Sequence, residues 1–222
     1  MALKMIIFDL DNTLYPRNSG LLQEIGHRIQ TWLCDHLRLS WEEAQATRRE
    51  YYERYGTTLG GLIAEHNVDV QDYLRFVHDI RVEAYLAPDP ALDRMLDGIP
   101  LRKAIYTNAP SEYGRRVLEV LGVNGRFEQL IGIEEVGLRN KPYRDAFERA
   151  LVLLDVQGPA CIIVEDSVRN LRPAKALGLT TVLVDAEPDE HVDYVVGSVL
   201  EVGALVGELV RRGGRRGTRD DG

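Results

Sequence analysis

Asp9 and Asp11 stand one residue apart, directly after the apolar run Met5-Ile6-Ile7-Phe8. If Asp9 is still extended, alternation puts both side chains on one side, just past the carboxyl end of a strand. Two carboxylates this close repel, so one takes up a proton or a cation sits between them. Either outcome suits phosphate chemistry: a divalent metal on Asp9 offsets repulsion from an incoming dianion, and Asp11 carries a proton to a leaving oxygen. The plainer alternative is that Asp9 ends the strand while Asp11, Asn12 and Thr13 form a polar turn.

Three further stretches place reactive types at similar positions. Thr107 and Asn108 follow the apolar Ala104-Ile105-Tyr106, Lys141 precedes Pro142, and Glu165-Asp166-Ser167 follows Ile162-Ile163-Val164. Each has an ordinary reading: a strand-end turn, a solvated lysine, a helix cap. Pro142 is favoured in a first helical turn, which puts the Lys141 ammonium beside a helix N-terminus. Their order is the stronger signal: acidic pair, Thr, Lys, acidic pair, each at a strand end or a helix start.

The elements that must carry these residues can be read from periodicity. The continuous apolar run at 5–8 reads as a strand buried on both faces, and 103–106, 129–133, 160–164, 180–184 and 194–196 read as further strands. Helical patterns fall between them at 91–97, 113–121, 143–154, 171–177 and 199–211. Strand alternating with helix implies a doubly wound parallel sheet, a Rossmann-like α/β core whose ligands bind at the carboxyl edge. From 15 to 88 the period is helical throughout. Leu21, Leu22, Ile25, Ile29, Trp32 and Leu33 form one stripe, and Ser40-Trp41-Glu42-Glu43 has the form of a capping box opening a second helix. After Gly56–Gly61 a short helix and then one through Tyr73, Leu74, Val77 and Ile80 follow, and Pro88-Asp89-Pro90 closes the segment. This reads as an all-helical cap domain (15–88) inserted into a discontinuous core (1–14 and 89–211). A Gly- and Arg-rich tail from 212 to 222 reads as disordered.

Asp9-Leu10-Asp11-Asn12-Thr13-Leu14 resembles the first motif, DxDxT, of the haloacid dehalogenase-like (HAD) superfamily, and the other three stretches resemble its remaining motifs in order. The resemblance implies that Asp9 is the phosphoryl-accepting nucleophile and Asp11 the general acid/base. Thr107 and Lys141 would stabilise the transferring group, with Asn12, Thr13 and Asn108 on the substrate phosphate. Asp9, the Asp11 carbonyl, Asp166 and Glu165 would hold Mg²⁺. Four carboxylates and a phosphate dianion exceed what Lys141 balances, so the cation is close to a physical requirement. Glu165 stands where many of these proteins have Asp.

Asp11-Asn12-Thr13-Leu14-Tyr15-Pro16 and Tyr51–Leu62 resemble the pyrimidine 5′-nucleotidase-like branch. That implies a nucleoside monophosphate such as UMP or CMP, with Tyr51, Tyr55 and Arg48 stacking on the base or reaching its edge. Another small phosphomonoester, such as a sugar phosphate or phosphoglycolate, would use the same core. A dehalogenase, or a phospho-acceptor module without turnover, are the more distant readings. A formal charge of −8 argues against polymeric nucleic acid and anionic membranes as partners. No stretch nears the ~20 apolar residues that span a bilayer. A cytoplasmic monomer or homodimer is the expectation, with Cys34 and Cys161 as packed thiols.

Overall fold

The computed structural model describes residues 2–217, with side chains to 212. Six strands, β1 (Met5–Phe8), β2 (Arg102–Tyr106), β3 (Gln129–Ile131), β4 (Cys161–Glu165), β5 (Thr180–Val184) and β6 (Tyr194–Val196), form one sheet in the order β3-β2-β1-β4-β5-β6. Every pairing is parallel. β1 and β4 are buried along their whole length, as continuous apolar runs require when helices cover both faces. The chain moves outward from β1 through β2 to β3, then returns to β4 on the other side of β1. Strand order therefore reverses beside β1, and loops diverge there at the carboxyl edge to leave a crevice.

Between β1 and β2 lie α1 (Leu21–Leu37), α2 (Trp41–Tyr55), α3 (Thr58–Glu65), α4 (Val70–His78) and α5 (Pro90–Asp97). The capping box at α2 forms in both directions: Glu43 N donates to Ser40 Oγ at 3.3 Å and Ser40 N to a Glu43 carboxylate oxygen at 2.8 Å. Gly56 ends α2 at φ 84°, a left-handed conformation that is cheap only without a Cβ. An added Cβ there would also lie 2.9 Å from the Lys141 carbonyl oxygen, so the glycine permits helix and core loop to touch. Gly61 similarly makes room for the Tyr51 ring. Asp89 caps α5 by accepting from Ala91 N and Leu92 N, with Pro90 in the first turn.

The remaining helices are α6 (Ser111–Leu121), α7 (Arg144–Leu153), α8 (Val168–Ala176) and α9 (Val202–Gly217). Gly122 takes the left-handed position after α6. Three arginines and one amide fasten the helices after β1 to the rest. Arg169 of α8 donates to the carbonyls of Tyr52 and Glu53, and Arg116 of α6 to those of His78 and Ile80. Arg17 donates to the Asp166 carbonyl, and Asn140 to that of Tyr55.

Two expectations need correcting here. α7 begins at Arg144, with Tyr143 as its cap, so Pro142 lies before the helix and the Lys141 ammonium does not sit in its first turn. Lys141 instead reaches back under the sheet edge. The last helix continues through Gly217, so 212–217 are helical where a disordered tail was expected, and 218–222 lie outside the described residues. Both cysteines are free thiols, Cys161 buried in β4. Among the described residues no helix is long and apolar enough to cross a membrane.

Candidate active site

β1 delivers Asp9 to the carboxyl edge, where its backbone N–H still donates to Val164 O of β4 at 2.9 Å. The chain then turns at once: Thr13 N and Leu14 N both donate to Leu10 O, and Asn12 takes φ 62°, a conformation Asn tolerates better than most residues. This turn aims two carboxylates at a cleft of ≈ 860 Å³ between the strand edge and α1, α2 and α4. Asp9, Asp11, Asn12, Thr107, Asn108, Lys141 and Asp166 all line it.

Asp9 is tightly held. One carboxylate oxygen accepts from Lys141 Nζ at 2.6 Å and the other from Thr13 Oγ1 at 3.0 Å. Burial pushes its pKa up to about 6 against the pull of Lys141. Asp11 forms no ion pair among the described residues; one of its oxygens accepts from the phenols of Tyr15 at 2.5 Å and Tyr113 at 2.9 Å. Burial, then the Asp9 charge, raises Asp11 to about 6 as well. Both acids thus exchange protons near neutrality, which is the range an acid/base group needs.

Lys141 is 1 % exposed, and its three donors are all used, on Asp9, on Glu165 at 2.7 Å and on Tyr106 O at 3.0 Å. Burial alone would lower its pKa, but the two carboxylates outweigh that and hold the ammonium above its usual value. Asn108 fixes the same residue from its backbone. Its Oδ1 accepts from Lys141 N at 2.8 Å and its Nδ2 donates to Lys141 O at 3.2 Å. The Asn108 side chain, expected on the substrate phosphate, is therefore committed to Lys141. Thr13, expected on the phosphate too, is 1 % exposed, lies outside the cleft lining and orients Asp9. Thr107 Oγ1 accepts from Ala109 N at 3.0 Å, and its hydroxyl hydrogen has no acceptor among the described residues.

Asp9, Glu165 and Asp166 each bring an oxygen within 4.8 Å of the others. An all-oxygen set suits a hard divalent cation. Burial raises the pKa values of Glu165 and Asp166. Among the described residues the four carboxylates here meet only Lys141 and Arg17, the latter at 2.9 Å from Asp166, so the donor set fits a bound cation. Glu165 departs from expectation in one respect. Its oxygens already accept from Lys141, from Asn170 at 2.7 Å and from Ser167 N at 2.9 Å, so it anchors the lysine whatever else it does.

The expected base-contacting residues divide. Tyr51 is 4 % exposed and its hydroxyl lies between Glu65 and His66; the Tyr55 hydroxyl donates to Glu65 at 2.5 Å. Neither lines the cleft. Arg48 does, with Gln45, Arg49 and Tyr52, the face of α2 that helical spacing assigns together. The residues that sequence reasoning missed are Tyr15, Tyr113 and Arg17. Tyr15 carried a signal, four residues after Asp11; Tyr113, 102 residues away in sequence, carried none.

The chain is similar to several known proteins. The chain is 28% identical over 238 residues to the glyceraldehyde 3-phosphate phosphatase of Methanocaldococcus jannaschii, covering 93% of this chain and 98% of that one. It is 29% identical over 225 residues to the ribulose-1,5-bisphosphate 5-phosphatase of Halopiger xanaduensis, covering 85% and 86%. The crystal structure of a HAD phosphatase from Thermococcus onnurineus superposes with a TM-score of 0.64 at 20% identity, over 92% of this chain and 98% of that one, and shares its fold. Residues 3–178 match the haloacid dehalogenase-like hydrolase family, which is the greater part of the sequence. That match spans well over half of the sequence, and the chain belongs to the haloacid dehalogenase-like hydrolases.

Proposed function

We propose that this chain is a Mg²⁺-dependent phosphomonoesterase that acts on a small sugar-phosphate-like molecule through an aspartyl-phosphate intermediate. The observation that carries the reading is Asp9: a carboxylate at a cleft mouth, oriented by Thr13 and Lys141, within reach of Asp166 for a shared cation. An Asp9 oxygen attacks phosphorus in line; the P–O bond to the leaving alcohol breaks, and the Asp11 proton goes to that alkoxide oxygen. Asp11, now ionised, takes a proton from water, whose oxygen attacks the phosphorus of the acyl phosphate. Phosphate leaves and the Asp9 carboxylate is restored. The Thr107 hydroxyl and the Lys141 ammonium stabilise charge on the equatorial oxygens, and Tyr15 and Tyr113 hold Asp11 in position. Asp9, Asp166 and the Asp11 carbonyl would hold Mg²⁺, which supplies the positive charge needed to admit a dianion.

The helical segment 15–88 serves in this reading as a cap over a core made of 1–14 and 89–211. The return of the chain at Pro88-Asp89-Pro90 and the arginine fastenings from α6 and α8 support that division. On substrate, relatives named for triose and pentose phosphates favour the sugar-phosphate class. The pyrimidine nucleotide reading has lost two of its three residue supports, because Tyr51 and Tyr55 turn to Glu65. A phosphate-release panel of triose, pentose and hexose phosphates with UMP and CMP, run with Mg²⁺ and with EDTA, tests both points. Release from sugar phosphates that EDTA stops is the expected result. Preference for UMP or CMP would restore the nucleotidase reading, and release that persists in EDTA would remove the metal.

A further inference from the structure

Half-buried arginines in this protein mostly have obvious structural partners. Arg28 donates twice to Phe76 O and lies over its ring; Arg116 and Arg169 each hold two carbonyls. Arg48 has no such partners. Among the described residues its one hydrogen bond is a 3.4 Å contact with the Gln30 amide oxygen, it forms no ion pair, and its Nε is buried without an acceptor, a lack it shares with Arg116, whose other nitrogens are engaged. A guanidinium has five donors and carries its charge at any working pH, so a single long bond leaves it badly under-satisfied. Burial accordingly depresses its pKa.

The surroundings are shaped to keep it there. Gly26 of α1 lies against the guanidinium, and a Cβ at 26 would stand 2.8 Å from Arg48 Nη2. Tyr73 of α4, 3 % exposed and lining the same cleft, is close enough for the Arg48 charge to act on it, and its hydroxyl makes no hydrogen bond among the described residues. Arg49 adds a second cation to this wall without an ion pair among the described residues. A tie between α1 and α2 is the alternative role for Arg48. A tie would use two shorter bonds, as Arg28, Arg116 and Arg169 do, where Arg48 makes a single one of 3.4 Å.

We propose that Arg48 and the Tyr73 hydroxyl bind a second anionic group, a phosphate or a carboxylate, carried by the molecule whose scissile phosphate meets Asp9. The inference rests on the phosphatase reading and deepens it: the substrate is a small phosphomonoester with two charged ends. Guanidinium pairs with either anion by parallel N–H donors. A hydrogen bond to a charged group is worth about 1.5–3 kcal/mol, which corresponds to about ten- to a hundredfold.

Two matched pairs test it. Glycerol 3-phosphate against 3-phosphoglycerate changes a neutral end to a carboxylate; ribulose 5-phosphate against ribulose 1,5-bisphosphate changes it to a phosphate. The wild type should favour the doubly charged member of at least one pair by about tenfold or more in kcat/KM. Which pair responds identifies the anion. Arg48→Gln should bring that ratio close to one, Arg48→Lys should keep part of it, and Gly26→Ala should reduce it by displacing an intact guanidinium. Ratios within one variant cancel any general loss of activity, and if Arg48→Gln does not fold the other two variants decide. Calorimetry of the same pairs on Asp9→Asn protein with Mg²⁺ reads the preference without turnover. No phosphate release from any probe would defeat the phosphatase reading, while the calorimetric ratio still judges the anion site. A ratio near one in both pairs, or one indifferent to Arg48→Gln, overturns the inference.

Discussion

At the strand edge the Lys141 ammonium has three acceptors and the Glu165 carboxylate three donors, whereas in the helical wall of the same cleft Arg48 has one long bond to an amide. The lysine network at the edge is complete within the chain, with the excess charge of the carboxylates left for a cation; the wall lacks even such a network. Low local dielectric makes a satisfied network stiff and an unsatisfied group costly. Chemistry that must meet a phosphorus atom in line gains from stiffness. Recognition gains from groups that only a ligand completes. Sequence spacing between reacting groups can therefore be rigidly encoded at the edge, while the wall is free to differ between relatives with different substrates.

The comparison breaks most easily at Asp9. Asp9→Asn should reduce turnover by more than about 10⁴-fold, in the range seen when a nucleophile is removed from a group that acts as a unit, while far-ultraviolet circular dichroism stays unchanged. Residual activity near wild type would make the edge a scaffold and not a reaction centre. Lys141→Met asks whether the edge is also structural. It leaves Asp9 and Glu165 buried without their shared cation, so urea unfolding should show a loss of about 3–5 kcal/mol, along with lost turnover; unchanged stability would mean the ammonium is dispensable to the fold.

Mg²⁺ should raise stability by about 2.7 kcal/mol at a hundred times its Kd, an effect that EDTA reverses. The pH dependence sharpens this. Asp9 and Asp11 are raised from 3.8 to about 6 in the folded protein, so the folded state binds protons more tightly than the unfolded one. Their contribution to Mg²⁺-free stability is full below about pH 4 and fades as pH rises through 6. Thermal melts from pH 4 to 7, taken with and without Mg²⁺, should therefore show the stabilisation by metal growing with pH; a flat difference contradicts the burial of these acids. Smallest of all, Tyr55→Phe should change kcat/KM less than about twofold, since its hydroxyl lies outside the cleft and donates to Glu65. A tenfold activity loss would put Tyr55 back on the substrate.

Much of the edge was legible because its signals are local. Met5–Phe8 and Ile162–Val164 are too uniformly apolar for anything but doubly covered strands, and each runs straight into its acids. Ser40 and Glu43 announced the start of α2 three residues apart. Orientation was not legible. The sequence of α2 places Tyr51 and Tyr55 on one stripe and Arg48 and Tyr52 on another, but periodicity fixes only the angle between stripes, and packing against α3 decides which faces inward. Only the family resemblance marked Lys141, because nothing nearby in the chain reveals that Asp9, 132 residues away, will share its burial. Tyr113 belongs to the same class of contact, made by topology alone. The helical continuation past Arg211 rests on a stretch rich in glycine, where intrinsic propensity argues the other way.

Gly56 joins the two regions, since the point where its missing side chain would stand is 2.6 Å from Pro142 Cδ and 2.9 Å from the Lys141 carbonyl. The seam between the helical segment and the sheet edge is thus a bare backbone pressed on the peptide of the lysine that holds Asp9. Any side chain at 56 would have to displace that peptide, and the shift would reach the Asp9 carboxylate through a single residue.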